Sequence, residues 1–403
     1  MTREFIDFVN AHHEEDTARL LLSAARYPDI DIPAVVQQIE GRRTAREKWP
    51  SLPKCEEFLY PPRLNREQAS SEVAALHKAS LFFQRLEKNN WERIHIADLT
   101  GGMGIDTFSL AGWRAERSLE VEVDYVEQDP VLCELAKNNA QALGLSNVHV
   151  HCGDSLEWIQ RQDRCFDLIF VDPARRDRQG RKVSAFEDCT PDILAHRELL
   201  FSMGKRIMVK ASPMIDISLG AMQLRNVSDI YVIAVHGECK EVLFLCGQPD
   251  GEPRIHCHHL HHGEVDDFVF TREEENQARA TYAGDIRKYI YEPNAALMKA
   301  GPFKLLSQRE RLEKLARNTH LYTSDSLLQH FPGRIFRVLA ELKPTRKEVQ
   351  NWIPDGRAHV VTRNYPIAAT DLQRQLGLKE GGDLFVVATT VANRRTGFLC
   401  EAV

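Results

Sequence analysis

The stretch Ala97-Asp98-Leu99-Thr100-Gly101-Gly102-Met103-Gly104-Ile105-Asp106 restricts what this chain can fold into more than any other. It opens as a strand ending in an acid, breaks into a turn with three glycines, and resumes as an apolar helix from Ile105 to Ala111. Glycine reaches φ > 0 and has no Cβ, so such a turn lets the backbone approach a ligand closely. A phosphate-binding loop would continue with Lys-Ser/Thr, and a dinucleotide fingerprint would read G-x-G-x-x-G. Neither fits. An acid at the strand end suits a ligand that carries an ammonium group.

Three later strand ends repeat the pattern. Val121–Glu127 ends in an acid, where open α/β sheets hold a pair of ribose hydroxyls. Asn147–Asp154 ends in Gly153-Asp154, and Phe166–Pro173 ends in Asp172-Pro173. Over residues 91–248 this order and spacing resemble the class I S-adenosylmethionine-dependent methyltransferases. The resemblance implies S-adenosyl-L-methionine as cofactor. Its methionine end would lie at Asp98, Thr100, Gly101, Gly102, Gly104 and Asp106. Glu127, with Gln128 beside it, would hold the ribose hydroxyls, and Asp154 the adenine amino group. Asp172 would line the acceptor site at the edge of the cofactor, with Pro173 and Arg175 as its catalytic neighbours.

At 403 residues the chain has room for two or three domains, and 43% apolar with 27% charged content is ordinary for a soluble protein. No apolar run approaches about 18 residues and the chain opens Met-Thr-Arg-Glu, so neither a membrane span nor a signal peptide is expected. Nine cysteines without a C-x-x-C pair point to a reducing cytoplasm and away from a zinc ribbon. With a net charge of −6, a nucleic-acid partner would have to be held by a local basic patch. The sequence leaves the oligomeric state open.

Residues 1–90 read as a helical region, with Phe5, Phe8, Val9, Leu20 and Ile32 to Ile39 at helical spacing. Arg42, Arg43, Arg46 and Lys48 read as a solvated helix face. The run Glu67-Gln68-Ala69-Ser70 resembles the entry segment of bacterial methyltransferases with a C-terminal THUMP-like domain. Gln68 and Ser70 are therefore either part of a cofactor lid or plain helix caps. After Asp172-Pro173 comes Ala174-Arg175-Arg176, where amino-group methyltransferases place an aromatic ring to stack on a flipped base. The two arginines suit an anionic group or an internal salt bridge. Ala211-Ser212 offers no cysteine, which disfavours a covalent mechanism at pyrimidine C5. Lys210 either orients a substrate or extends along the sheet edge. Ser228–His236 and Cys239–Cys246 read as a closing hairpin. The histidine-rich run His256 to His262 is expected to be a polar edge strand, since no tetrahedral metal set emerges from its alternation.

Tyr291 to Gly301 and the strand–helix alternation of Ile335–Val403 resemble the tail of the THUMP-like family. That likeness implies RNA docking, with phosphate contacts from Arg334, Arg337, Lys343, Arg346, Lys347, Arg357, Arg363, Arg394 and Arg395. The expected fold is α/β: a Rossmann-like class I methyltransferase core, an N-terminal helical region and a C-terminal α+β part. The expected boundaries are 1–90 helical, 91–250 methyltransferase, 251–334 ferredoxin-like linker and 335–403 THUMP-like. The expected function is methyl transfer to RNA, a tRNA or rRNA nucleotide. The alternatives are a protein or small-molecule methyltransferase, or a non-catalytic RNA adaptor that binds the cofactor.

Overall fold

A computed structural model describes residues 3–85, 92–113, 119–174, 186, 189–248, 251–391 and 394–403. The chain divides into two compact units, Met1–Ser228 with Leu243–Pro249, and Asp229–Val242 with Asp250–Val403.

The first unit opens with α1 (Arg3–Ala11), α2 (Thr17–Leu22), α3 (Ile32–Lys48), α4 (Arg63–Gln68) and α5 (Glu72–Gln84). Side chains start three of them: Asp16 caps α2, Asp31 caps α3 ahead of Pro33, and Ser71 caps α5. Val9, Leu20, Ile32, Val35 and Ile39 form a small core of their own. Trp49, Phe58 and Tyr60 instead pack with Met103, Phe108 and Tyr125, so the helices leading into the sheet share its core.

The sheet follows as β1 (Arg93–Asp98), α6 (Ile105–Ala111), β2 (Glu120–Glu127), α7 (Pro130–Ala142), β3 (Val148–Cys152) and α8 (Ser155–Gln160). It continues through β4 (Leu168–Val171), α9 (Arg197–Met203), β5 (Ile207–Ala211) and α10 (Ile217–Leu224). The strands lie parallel in the order β3-β2-β1-β4-β5. Every residue of β4 and β5 is buried, which is why these strands read as apolar runs with no alternation. β6 (Val227–Val235) and β7 (Glu238–Cys246) form the closing hairpin, turned at Gly237, and β7 lies next to β5. The boundary between the two units falls inside this hairpin.

In the second unit β8 (Arg254–His261) pairs in parallel with β6 and antiparallel with β9 (Glu264–Phe270). The histidine-rich run is therefore an inner strand, which corrects the edge-strand expectation. Carboxylates meet the imidazoles there: Asp229 bonds His256, Asp267 pairs with His258, and Asp266 with His259 and His261. These pairs offset the cost of placing polar groups inside a sheet.

The chain continues as α11 (Arg272–Gln277), β10 (Thr281–Tyr282), β11 (Tyr289–Pro293), α12 (Ala295–Ala300), α13 (Phe303–Glu310), β12 (Glu313–Ala316) and β13 (Thr319–Ser324). It ends with β14 (Gly333–Leu342), α14 (Arg346–Trp352), β15 (His359–Arg363), α15 (Ala369–Leu376), β16 (Leu384–Val391) and β17 (Arg394–Ala402). Asn294 caps α12 and Gly301 closes it in the left-handed conformation. One sheet, in the order β10-β12-β13-β11-β14-β17-β16-β15, runs through all of this. Ile290, Leu321, Phe336, Val387 and Phe398 share one core against it, and Leu342, Val386 and Leu399 share a second with Val349 of α14 and Leu372 of α15. No helix among the described residues is long and apolar enough to cross a membrane.

Candidate functional site

Strand order reverses between β1 and β4, and the crevice outside the carboxyl ends there is where open α/β sheets take ligands. β1 runs out at Asp98 and the glycine turn carries the chain into α6. Gly102 and Gly104 have φ of 54° and 86°, which a side chain would oppose. A Cβ on Gly101 would lie 2.2 Å from the Tyr125 ring, and one on Gly104 would lie 2.6 Å from the ring of Phe108. The Tyr125 hydroxyl donates to the Gly102 carbonyl at 2.7 Å. Neighbouring aromatic rings thus set the shape of the turn.

Asp98 is only 1% exposed. Its Oδ1 accepts from the Thr100 N–H at 3.0 Å and its Oδ2 from the Thr107 hydroxyl at 2.6 Å. Burial pushes its carboxyl up to about 7 against the pull of those two hydrogen bonds. Thr100 Oγ1 in turn accepts from the Asp172 N–H at 2.6 Å, tying the end of β1 to the end of β4.

Glu127 closes the other side. Its Oε2 accepts from the Gly102 N–H at 3.0 Å, and its Oε1 from the Gln128 and Asp129 N–H groups at 2.8 and 3.0 Å. A Cβ on Gly102 would meet nothing nearer than the Thr100 carbonyl at 3.7 Å, so the backbone beside this carboxylate faces open space. That is the cradle a ribose would need. Asp154 is exposed and caps α8 through Oδ1, which accepts from Leu156 and Glu157, both at 2.9 Å. The Gln128 side chain is exposed, as is Gln68 at the end of α4.

On the acceptor side, Asp172 is followed by buried Pro173 and exposed Ala174. Arg175 and Arg176 lie outside the described residues. Lys210 does not extend toward water: it is 4% exposed, and its Nζ lies 2.5 Å from Asp172 Oδ2. It also donates to Ser70 Oγ at 3.2 Å, as does Lys78 at 2.8 Å. Ser70 donates to Asp106 Oδ2 at 2.8 Å, and Lys78 sits 3.0 Å from Asp106 Oδ1. Burial alone would raise the Asp106 carboxyl, but the Lys78 and Lys210 charges hold it below its usual value.

Hydrogen bonds therefore join Asp98, Thr100, the glycine turn, Glu127 and Asp172 into one group, and Asp106 reaches it through Ser70 and Lys210. Gln68 and Asp154 share no hydrogen bond with that group among the described residues. Sequence reasoning missed Lys78. A lysine in a helix reads as solvated, and the only sign against it was the apolar run Leu81-Phe82-Phe83 that follows.

The histidine strand also offers two groups whose donor atoms lie within 4.8 Å, His256, His258 and Asp267, and His259, His261 and Asp266. In the second, the Gly237 N–H donates to His259 Nε2 at 3.1 Å. The proton of a neutral ring is then on Nδ1, facing Asp266, so that nitrogen has no lone pair for a metal.

Residues 289–332 match the family model of a ferredoxin-like domain, and residues 333–402 that of a THUMP-like domain. The fold is similar to a crystal structure from Porphyromonas gingivalis W83 provisionally described as a methyltransferase. The TM-score is 0.84 and the identity 29%, over 99% of this chain and 98% of that one. A stretch of 100 residues is 32% identical to an uncharacterized RNA methyltransferase of Thermosynechococcus vestitus, covering 25% of this chain. The match spans only about a fifth of that relative, 21% of its length. This chain thus joins a class I methyltransferase fold to a ferredoxin-like and a THUMP-like domain.

Proposed function

We propose that this chain is an S-adenosylmethionine-dependent methyltransferase acting on RNA. The observation that carries the reading is the meeting of the glycine turn, Glu127 and Asp172 at the strand-order reversal. Glu127 would turn its carboxylate to the ribose hydroxyls, and the open side of Gly102 would admit them. Asp98 shapes the turn from within and Asp106 stands in the first turn of α6, and we assign both to the methionine end of the cofactor. The bound cofactor supplies an electrophilic methyl group. What remains for the protein is alignment of the acceptor and handling of its proton. Asp172, Pro173 and Arg175 are the residues we assign to the acceptor side, and Gln68, Gln128 and Asp154 to the rim of the cofactor site.

RNA is favoured over a protein or a small molecule by the THUMP-like domain and by the relative named an RNA methyltransferase. Tight binding of S-adenosylmethionine and S-adenosylhomocysteine in calorimetry, with transfer of labelled methyl to RNA, is the expected result. A protein that binds neither compound defeats the reading.

A further inference from the structure

β8 carries His256 and His258 two residues apart, so both rings stand on one face of the sheet. The strand register sets them beside Tyr231 and Ile233 of β6 on one side and Val269 and Asp267 of β9 on the other. The His256 ring stacks on Tyr231 with centres 4.6 Å apart, and His258 meets the same tyrosine at 5.4 Å. The two imidazole centres are 5.8 Å apart, edge to face. Exposure rises across the group: the His258 side chain is 7% exposed, that of His256 14%, and that of Asp267 48%. The rings are packed in place, and the carboxylate beside them is open to water.

One donor atom from each of His256, His258 and Asp267 lies within 4.8 Å of the other two. His258 Nε2 and Asp267 Oδ1 are 3.1 Å apart. Two ligands on a tetrahedral zinc, with bonds of about 2.1 Å, stand about 3.4 Å apart, so this pair already has nearly the required spacing. As an ion pair the two have a proton between them. When the ring is neutral with its proton on Nδ1, the same nitrogen offers its lone pair to a cation that both groups face. Asp229 is fully buried, and its Oδ1 lies 2.9 Å from His256 Nε2. A carboxylate on one ring nitrogen fixes the tautomer and orientation of a ligating histidine. Two carboxylates, Asp267 and Asp229, thus face the rings, and the Arg254 guanidinium lies 3.3 Å from Asp229 Oδ1. With both rings neutral these three groups leave one net negative charge, which favours a divalent cation.

We propose that His256, His258 and Asp267 bind one divalent first-row cation of the Zn²⁺ class, with Asp229 as the positioning partner of His256 and water completing the shell. Two imidazoles and a carboxylate suit such a cation better than Mg²⁺ or Ca²⁺, which take shells of oxygen. The exposed Asp267 gives the entry path. Bound there, the cation joins β8 to β9 through side chains as well as through the backbone ladder. The alternation along β8 supplies only two of the ligands, and the third comes from the neighbouring strand. The group of His259, His261 and Asp266 is the internal control, since the Gly237 N–H already takes the His259 Nε2 lone pair. The proposal concerns the second unit and does not depend on the methyltransferase reading.

The test uses the full-length protein, stripped with a chelator and titrated with Zn²⁺ alone in calorimetry, with bound metal counted by elemental mass spectrometry. One equivalent per chain is the expected result, and Mg²⁺ in its place should give none. Asp267→Asn keeps an exposed polar side chain and should weaken Zn²⁺ binding on the order of tenfold or more. Asp229→Asn should weaken it about 10–100-fold, the scale of a lost carboxylate behind a ligating histidine. His261→Ala should bind as the wild type does. A wild-type chain that binds no Zn²⁺ overturns the proposal. Equal affinity in the wild type and Asp267→Asn overturns it too, because the cation is then held elsewhere, as does loss of binding in His261→Ala alone. The wild-type stoichiometry and the exposed Asp267 variant decide the matter, so an Asp229 variant that fails to fold does not disable the test.

Discussion

Glu127 and Asp98 are both strand-end acids, yet they stand in different electrostatic positions. Glu127 is partly exposed and holds three backbone N–H groups that a ribose can replace as partners. Losing a hydrogen bond to a charged group costs about 1.5–3 kcal/mol, so Glu127→Ala should weaken S-adenosylmethionine binding roughly tenfold or more by calorimetry. Asp98 is sealed in and holds the turn together. Its carboxyl rises from 3.8 to about 7 because burial disfavours the charged form. The folded protein thus binds that proton more tightly than the unfolded chain. The associated stability is fully present below about 3.8 and is lost as pH rises toward about 7. Asp98→Asn has no such titration, so its Tm relative to wild type should climb across that interval. A constant Tm difference would show that Asp98 titrates alike in both states. From the sequence the two acids look equivalent. What separates them is Thr107, which closes over Asp98 from the next helix and is a partner that no spacing encodes.

At the scale of elements, the glycine turn depends on β2 as much as on itself. An added methyl on Gly101 would collide with the Tyr125 ring, and overpacking of that kind costs about 1–3 kcal/mol. Gly101→Ala should lower Tm by several degrees. Gly284→Ala is the control, since a Cβ there meets nothing within 4 Å and the backbone is not left-handed, so its Tm should stay level or rise slightly. Equal Tm for both would mean the ring moves aside freely. The turn, its flanking strand and helix, and the alternation along Ile335–Val403 were legible because each is a local pattern of period and turn residue. The buried lysines were not legible, since Lys78 and Lys210 acquire partners only when α5, α6, β4 and β5 converge. The inner position of β8 was misread for a similar reason. Its histidines look like solvent-facing polar residues until Asp229, Asp266 and Asp267 are set beside them.

Across the whole molecule, the residues offered for RNA docking divide by what they already hold. Arg334 and Arg363 both clamp Glu292, which is 2% exposed, at 2.5 and 2.6 Å. Arg337 pairs with Glu401, and Arg394 with Glu341. Lys343, Arg346, Lys347, Arg357 and Arg395 are exposed and have no ion pair among the described residues. These five are the cations we assign to phosphate, since with a net charge of −6 RNA docking would rest on such a local patch. Truncating the tail would be a poor test, because β14 pairs with β11 and its removal would strip an edge from the ferredoxin-like domain. Charge reversal separates the roles without cutting the sheet. With Lys343, Lys347 and Arg357 all changed to Glu, RNA affinity should fall. The slope of log affinity against log salt should flatten by roughly one for each phosphate no longer neutralised. Cofactor binding and Tm should hold steady. Arg363→Glu should act differently: it sets a second carboxylate against buried Glu292, so Tm drops. An RNA affinity indifferent to salt in the wild type, or unchanged by the triple reversal, would remove this surface of the THUMP-like domain as the docking face.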